Sequence, residues 1–201
     1  MKPASSMDVA GFQNQKIMEN TNINSGIILI PDFSGFTEFV FNTKLYTGEY
    51  IVKQLLSILI DVNNQYFNIS EIEGDAILFY RYDNQPSYKK ISGMLRNMRK
   101  AFNMKIQELS EMLNTTIELS LKFIVHYGKF SQYNIGSFRK LYGKPIVEAH
   151  QMLKNGFAEQ PSYALYSHSF LENSQNKEYV LNEKTMHVSD VGAIQYFGNI
   201  D

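Results

Sequence analysis

Asp32 and Asp75 are the two side chains whose positions suit chemistry. Asp32 follows the apolar run Ile27-Ile28-Leu29-Ile30 and Pro31, and precedes Phe33-Ser34-Gly35-Phe36-Thr37, where a helix opens. The unpaired amides and dipole of an opening helical turn favour an anion above the strand end. Asp75 lies at the centre of a Gly74-Asp75 hairpin signal between Asn68–Ile72 and Ala76–Tyr80. If the first strand runs beside that hairpin, both carboxylates meet above the same amides. Two hard oxygen ligands next to a phosphate cradle are what magnesium or manganese bound to a triphosphate requires. Each aspartate also has a plainer reading, Asp32 as the cap of the following turn and Asp75 as an ordinary turn residue.

The elements that must position this pair follow from periodicity. Ile27 to Ile30 reads as a strand buried on both faces. A helical segment starts at Gly35 and Thr37. After a break at Thr47-Gly48, Ile51, Leu55, Leu59 and Val62 trace one face of a helix over Glu49 to Asn64. A long helix is expected from Pro86 to Leu113, then a strand from Ile117 to Tyr127 that runs into Gly128. A hairpin around Ser131 to Gly136 leads to Phe138–Gly143, and a helix runs from Lys144 to Lys154. Tyr163–Tyr166 reads as a strand, Ser167 as the cap of a helix through Leu171, and Thr185–Ser189 with Ala193–Phe197 as a terminal hairpin. This order predicts an α+β domain elaborated from a ferredoxin-like βαββαβ core, with a C-terminal extension. Residues 1–25, polar and Asn/Gln-rich, are expected to be a flexible leader to a domain spanning 26–201.

The wording of both aspartate motifs, Ile30-Pro31-Asp32-Phe33-Ser34-Gly35-Phe36-Thr37 and Glu71-Ile72-Glu73-Gly74-Asp75-Ala76, resembles the metal motifs of class III nucleotidyl cyclases. Leu121 to Gly128 is similar to the family's strand ending in His-x-Gly. Leu141-Tyr142-Gly143 resembles the stretch before its catalytic helix, and Tyr163–Phe170 and Val191–Phe197 echo its closing segments. The likeness extends over roughly residues 26–198 in unbroken order, and also reaches an uncharacterised bacterial group with a cyclase-like domain.

The resemblance implies roles residue by residue. Asp32, Asp75 and the Phe33 carbonyl would hold two Mg²⁺ or Mn²⁺ ions. Amides of Ser34, Gly35, Phe36 and Thr37 would hold the β- and γ-phosphates. Glu71 would select the base, its carboxylate resembling the guanylate type, and Lys140 would take the second base position, where it fits neither family pattern. The plainer alternative is a Glu71–Lys140 ion pair filling that pocket. The positions of the transition-state Asn and Arg are occupied by Val147 and Gln151, and no Lys matches the family's C-terminal triphosphate lysine. Losing such electrostatic contacts commonly costs about a hundredfold or more in rate. Arg139 and Lys144 are candidate substitute phosphate partners, and a solvated basic face is the alternative.

Three readings follow. The first is a metal-dependent nucleoside triphosphate-binding domain of cyclase type, in nucleotide signalling, with weak or no turnover. The second is a working cyclase, in which O3′ attacks the α-phosphorus and pyrophosphate leaves. The third is an idle structural or partner-binding domain. The family builds its sites between two subunits, which implies a head-to-tail homodimer.

Composition narrows the field from the other side. With 0 Cys there is no disulfide framework, thiolate zinc site or cysteine nucleophile. The 4 His have no metal-site spacing, and His126 reads as a packed strand residue. A formal charge of −1 provides no global field to hold nucleic acid or an anionic membrane. The first apolar run, Ile27–Ile30, is far too short to span a bilayer and no signal peptide is visible, so the expectation is a soluble cytoplasmic protein.

Overall fold

Strand β1 (Asn24–Ser34) turns Ile27 and Leu29 to one face of a sheet and Ile28 and Ile30 to the other, all buried. The computed structural model describes residues 23–155, 160–175, 182–188 and 192–199. β1 is followed by α1 (Phe36–Asn42) and α2 (Leu45–Asn63), the hairpin β2 (Asn68–Glu73) and β3 (Ala76–Tyr82), α3 (Tyr88–Leu113) and β4 (Ser120–Ile135). Their strands lie in the order β2-β3-β1-β4, antiparallel throughout, which is the split βαβ arrangement of a ferredoxin-like core. The C-terminal extension adds β5 (Phe138–Tyr142), α4 (Lys144–Met152), β6 (Tyr163–Ser167), α5 (His168–Asn173), β7 (Asn182–Val188) and β8 (Gly192–Asn199). β5 folds back on β4, while β6 lies parallel to β4 and carries the sheet on to β8 and β7. The expected α+β class and core are therefore present.

Two helices cover one face. Ile51, Leu55 and Leu59 of α2 and Ile91, Leu95, Met98 and Phe102 of α3 bury against Ile27, Leu29, Phe79 and Phe123. Each such side chain contributes about 1.5–3 kcal/mol of transfer free energy. That anchoring explains why α2 starts at Leu45 and runs through Gly48, where the sequence suggested a break. The Gly48 amide donates to the Lys44 carbonyl at 2.8 Å, and one glycine costs a buried helix only about 1 kcal/mol. α3 begins two residues later than expected because Ser87 caps it, its hydroxyl accepting from the Lys90 amide.

The other face carries α4, whose Ala149 and Met152 pack on Ile28, Ile30, Ile124 and Phe130. The helix sits close to β4 because Gly128 has no side chain. A Cβ there would lie 2.4 Å from Cγ of Pro145. Gly128→Ala is expected to destabilise the fold by about 2 kcal/mol, read as a lowered urea midpoint, because α4 would have to lift. An unchanged midpoint would contradict this docking.

β4 runs unbroken from Ser120 to Ile135, so the expected strand and the start of the expected hairpin are one element, with Gly136 at the turn. Asn24 and Ser25 already pair with Phe130 and Lys129, so β1 begins before Gly26. Most of the expected leader, and the tip of the terminal hairpin, lie outside the described residues. Among the described residues no helix is long and apolar enough to cross a membrane.

Candidate functional site

β1 does not end at Asp32. It pairs on through Ser34, placing Asp32 opposite Ala76 of β3 on one side and Lys122 of β4 on the other. Asp32 is nearly buried, and its Oδ2 lies 2.6 Å from Nζ of Lys122. Across β3, Gly74 takes a left-handed conformation (φ 59°) that turns the hairpin and presents Asp75. The amides of Asp75 itself and of Phe33 favour the charged form of the Asp75 carboxyl. The two aspartates therefore come together at the end of β1.

Their proximity has an electrostatic consequence. Burial first, and then the charge of Asp32, push the Asp75 carboxyl up to about 6, against the two amides and Lys122. A carboxyl raised above its unfolded value contributes stability that is complete below about pH 4 and lost as pH rises through about 6. The free protein should thus lose on the order of 1 kcal/mol between these limits relative to Asp75→Asn, after allowance for solvent screening at a half-buried group. Urea titrations of both proteins at pH 4, 5, 6 and 7 measure this. Parallel curves would mean that Asp75 is not held near Asp32.

A cleft of about 200 Å³ opens at this point, lined by Asp32, Glu71, Glu73 and Asp75, with His150 of α4 and Leu153 just past its end also on its wall. Among the described residues no group of three or more His, Cys, Asp or Glu side chains converges as a metal site. A hard cation would draw two carboxylates here, and the remaining positions would fall to the Phe33 carbonyl, water and ligand oxygens. That mixed oxygen set fits Mg²⁺ or Mn²⁺, which retain waters and take phosphates readily. A cation between the pair would relieve the repulsion from Asp32 that, after burial, raises Asp75.

The other sequence-derived residues divide. Gly35 (φ 85°) caps α1 without a side-chain bond, and a Cβ there would meet the Glu118 carbonyl at 2.7 Å, so only glycine lets the chain turn from Ser34 into Phe36 and Thr37. Glu71 is bonded by Lys140 of β5, and this contact holds the Lys140 ammonium above its usual range. Val147 projects outward on α4, 49% exposed, and Gln151 follows one turn later, half-buried. Arg139 is exposed on β5. Lys144 lies at the N-terminal end of α4, bonded to Glu148 at 3.2 Å, and does not reach the aspartates of its own chain.

Two residues beside the aspartates, Lys122 bonded to Asp32 and His150 on the cleft wall, received no role from the sequence. Lys122 becomes visible only through the β1–β4 register, since its own strand shows nothing but alternation. His150 had no metal spacing, yet the turn of α4 that carries it closes the cleft.

The profile of a family described as "Protein of unknown function (DUF2652)" matches residues 52–163, more than half of the 201 residues. No curated protein matches the chain. Among solved structures, the chain is similar to the guanylyl cyclase Cya2 (TM-score 0.74, 17% identity, 89% of this chain and 92% of that one). It is similar to the adenylyl cyclase CyaB from P. aeruginosa (TM-score 0.68, 15% identity, 90% and 96%). It is also similar to a class III adenylyl cyclase-like ATP-binding protein from Pseudomonas aeruginosa (TM-score 0.62, 16% identity, 78% of this chain and 36% of that one). The domain is thus cyclase-like in fold, as its motifs suggested.

Proposed function

We propose a nucleotide-binding function for this chain, which belongs to the DUF2652 family and carries the fold of class III nucleotidyl cyclase catalytic domains. The Asp32–Asp75 cleft binds a nucleoside triphosphate together with Mg²⁺ or Mn²⁺, with weak or no turnover. The observation that carries this reading is the pairing of two carboxylates, one raised to about 6, beside the β1–α1 turn. Lys122 balances one of these two charges, and a bound cation would balance the other.

In this reading Asp32 and Asp75 hold the cation with the Phe33 carbonyl, and the amides of Ser34 to Thr37 face the terminal phosphates. A divalent ion, when bound, neutralises the triphosphate and acts as a Lewis acid toward it. The Lys122 ammonium, already against Asp32, adds positive charge on the same side. Glu71 and Lys140 flank the base, and Lys140 bonds one carboxylate oxygen of Glu71, which leaves the other to accept from guanine. Val147 and Gln151 bring no charge to a developing phosphorane, which is why turnover is expected to be low. A class III adenylyl cyclase-like ATP-binding protein is among the structural neighbours, in support of this reading.

A head-to-tail homodimer would complete the site. In support, Ile69 and Ile72 of β2, Phe138 and Tyr142 of β5, and Val147 of α4 are 39–73% exposed on the elements around the cleft. Large apolar side chains left together in this way mark contact surfaces.

Calorimetric titration of ATP, GTP, CTP and UTP in Mn²⁺, repeated in EDTA, tests the proposal. Saturable heat in Mn²⁺ with at least one nucleotide and none in EDTA is expected. No heat with any nucleotide would overturn it, and repeated turnover to a cyclic nucleotide in the same samples would replace it with the active-cyclase reading.

A further inference from the structure

We propose that a second cavity, at the opposite end of α4, binds a small hydroxylated organic anion, a phosphomonoester or a hydroxy acid. It has a volume of about 520 Å³, within the range of small-molecule sites, against about 200 Å³ for the aspartate cleft. It lies between β4, the first turn of α4, the start of α5 and the β7–β8 hairpin. The two sites share a sheet face but are separated by the length of β4 from Lys122 to Gly128, roughly 20 Å at the usual strand rise. This inference does not depend on the nucleotide reading.

His126 forms the polar floor. The residue is 4% exposed, and its Nε2 lies 3.0 Å from Oε2 of Glu148. Burial would raise the Glu148 carboxyl, but the bonds from His126 and Lys144 outweigh it and hold Glu148 below its usual range. An ionised Glu148 accepts from Nε2–H, which leaves Nδ1 as the ring nitrogen still open to a partner. That Nδ1 is buried and has no hydrogen-bond partner among the described residues. A buried polar atom left unpaired is costly and calls for an explanation. A ligand hydroxyl would supply the missing donor.

The walls set the sign of the ligand. Glu148, the carboxylate among the lining side chains, is already engaged by His126 and by Lys144. Lys129 and Lys144 are exposed, and among the described lining residues they leave a positive excess. Ser169, Thr185 and Gln195 add hydroxyl and amide groups suited to anionic oxygens. Phosphomonoesters whose organic part carries a hydroxyl, and hydroxy acids, combine anionic oxygens for the lysines with an O–H for Nδ1.

The full chain, ¹⁵N-labelled, is titrated with inorganic phosphate and separately with citrate, at ionic strength held constant with sodium chloride. Amide shifts that saturate and centre on Gly128, Lys129, Ser169 and Ala193 are expected with at least one probe, and the responding probe tells phosphate from carboxylate sources. The Lys129→Ala/Lys144→Ala variant changes only exposed side chains, and should bind at least tenfold more weakly. His126→Gln should weaken binding as well, while Asp75→Asn should bind as the parent does. Shifts that stay linear, shifts centred on Phe33 to Thr37, or undiminished affinity in the lysine variant would each overturn the site.

Discussion

Asp75→Asn is expected to weaken metal-dependent nucleotide binding by about a hundredfold or more while leaving the free protein as stable at pH 7 as the parent, or slightly more so. The two halves of this expectation have one cause. In the free chain the Asp75 carboxyl is half-buried beside Asp32 and pushed up to about 6, so removing its charge relieves strain. With a divalent cation present the same charge becomes a ligand. Opposite unit charges 4 Å apart interact by about 4 kcal/mol at an effective dielectric near 20, and about 2.7 kcal/mol already amounts to a hundredfold. Calorimetry in Mn²⁺ at pH 7.5, paired with urea unfolding without ligand, reads both halves. Unchanged affinity would remove Asp75 from the site, and a large loss of stability would make it a structural turn residue.

Asp32 should behave differently. Its carboxylate neutralises Lys122 at 2.6 Å, with side chains only 13% and 20% exposed. Asp32→Ala strands that ammonium and is expected to cost about 3 kcal/mol of unfolding free energy, as breaking a largely buried pair does. The double variant Asp32→Ala/Lys122→Met should recover most of the loss, because an apolar pair has no charge left to desolvate. Urea unfolding of the single and double variants closes this cycle. Equal destabilisation in both would mean that Asp32 contributes by packing rather than by pairing with Lys122. The contrast with Asp75 matters for any binding experiment: loss of binding in Asp75→Asn reports on the site, whereas loss in Asp32→Ala mixes site and fold.

Much of this architecture was legible along the chain because it rests on local signals. The apolar run Ile27–Ile30, the Gly74-Asp75 turn and the Ile51-Leu55-Leu59 stripe each fix an element through period or turn chemistry. The motifs around Asp32 and Asp75 carried the family resemblance, and the fold agrees with it. What stayed hidden depends on register and on helix docking. Lys122 faces Asp32 only because β1 and β4 pair with those two residues opposite one another. Gly48 reads as a breaker, yet the helix is held from the far side by buried Leu55 and Leu59. His126 read as a packed residue, and it is buried; its bond to Glu148 follows from how Pro145 sits over Gly128. Lys144 was close in sequence to the other basic residues, but the direction of α4 carries it to the opposite end of the helix from His150.

The most direct measurement is an anomalous difference map from crystals grown with Mn²⁺ and GTP. The account predicts a peak between the carboxylates of Asp32 and Asp75, with phosphate density over the amides of Ser34 to Thr37. Well-ordered crystals with no peak there, Lys122 still bonded to Asp32 and no nucleotide in the cleft, would contradict it.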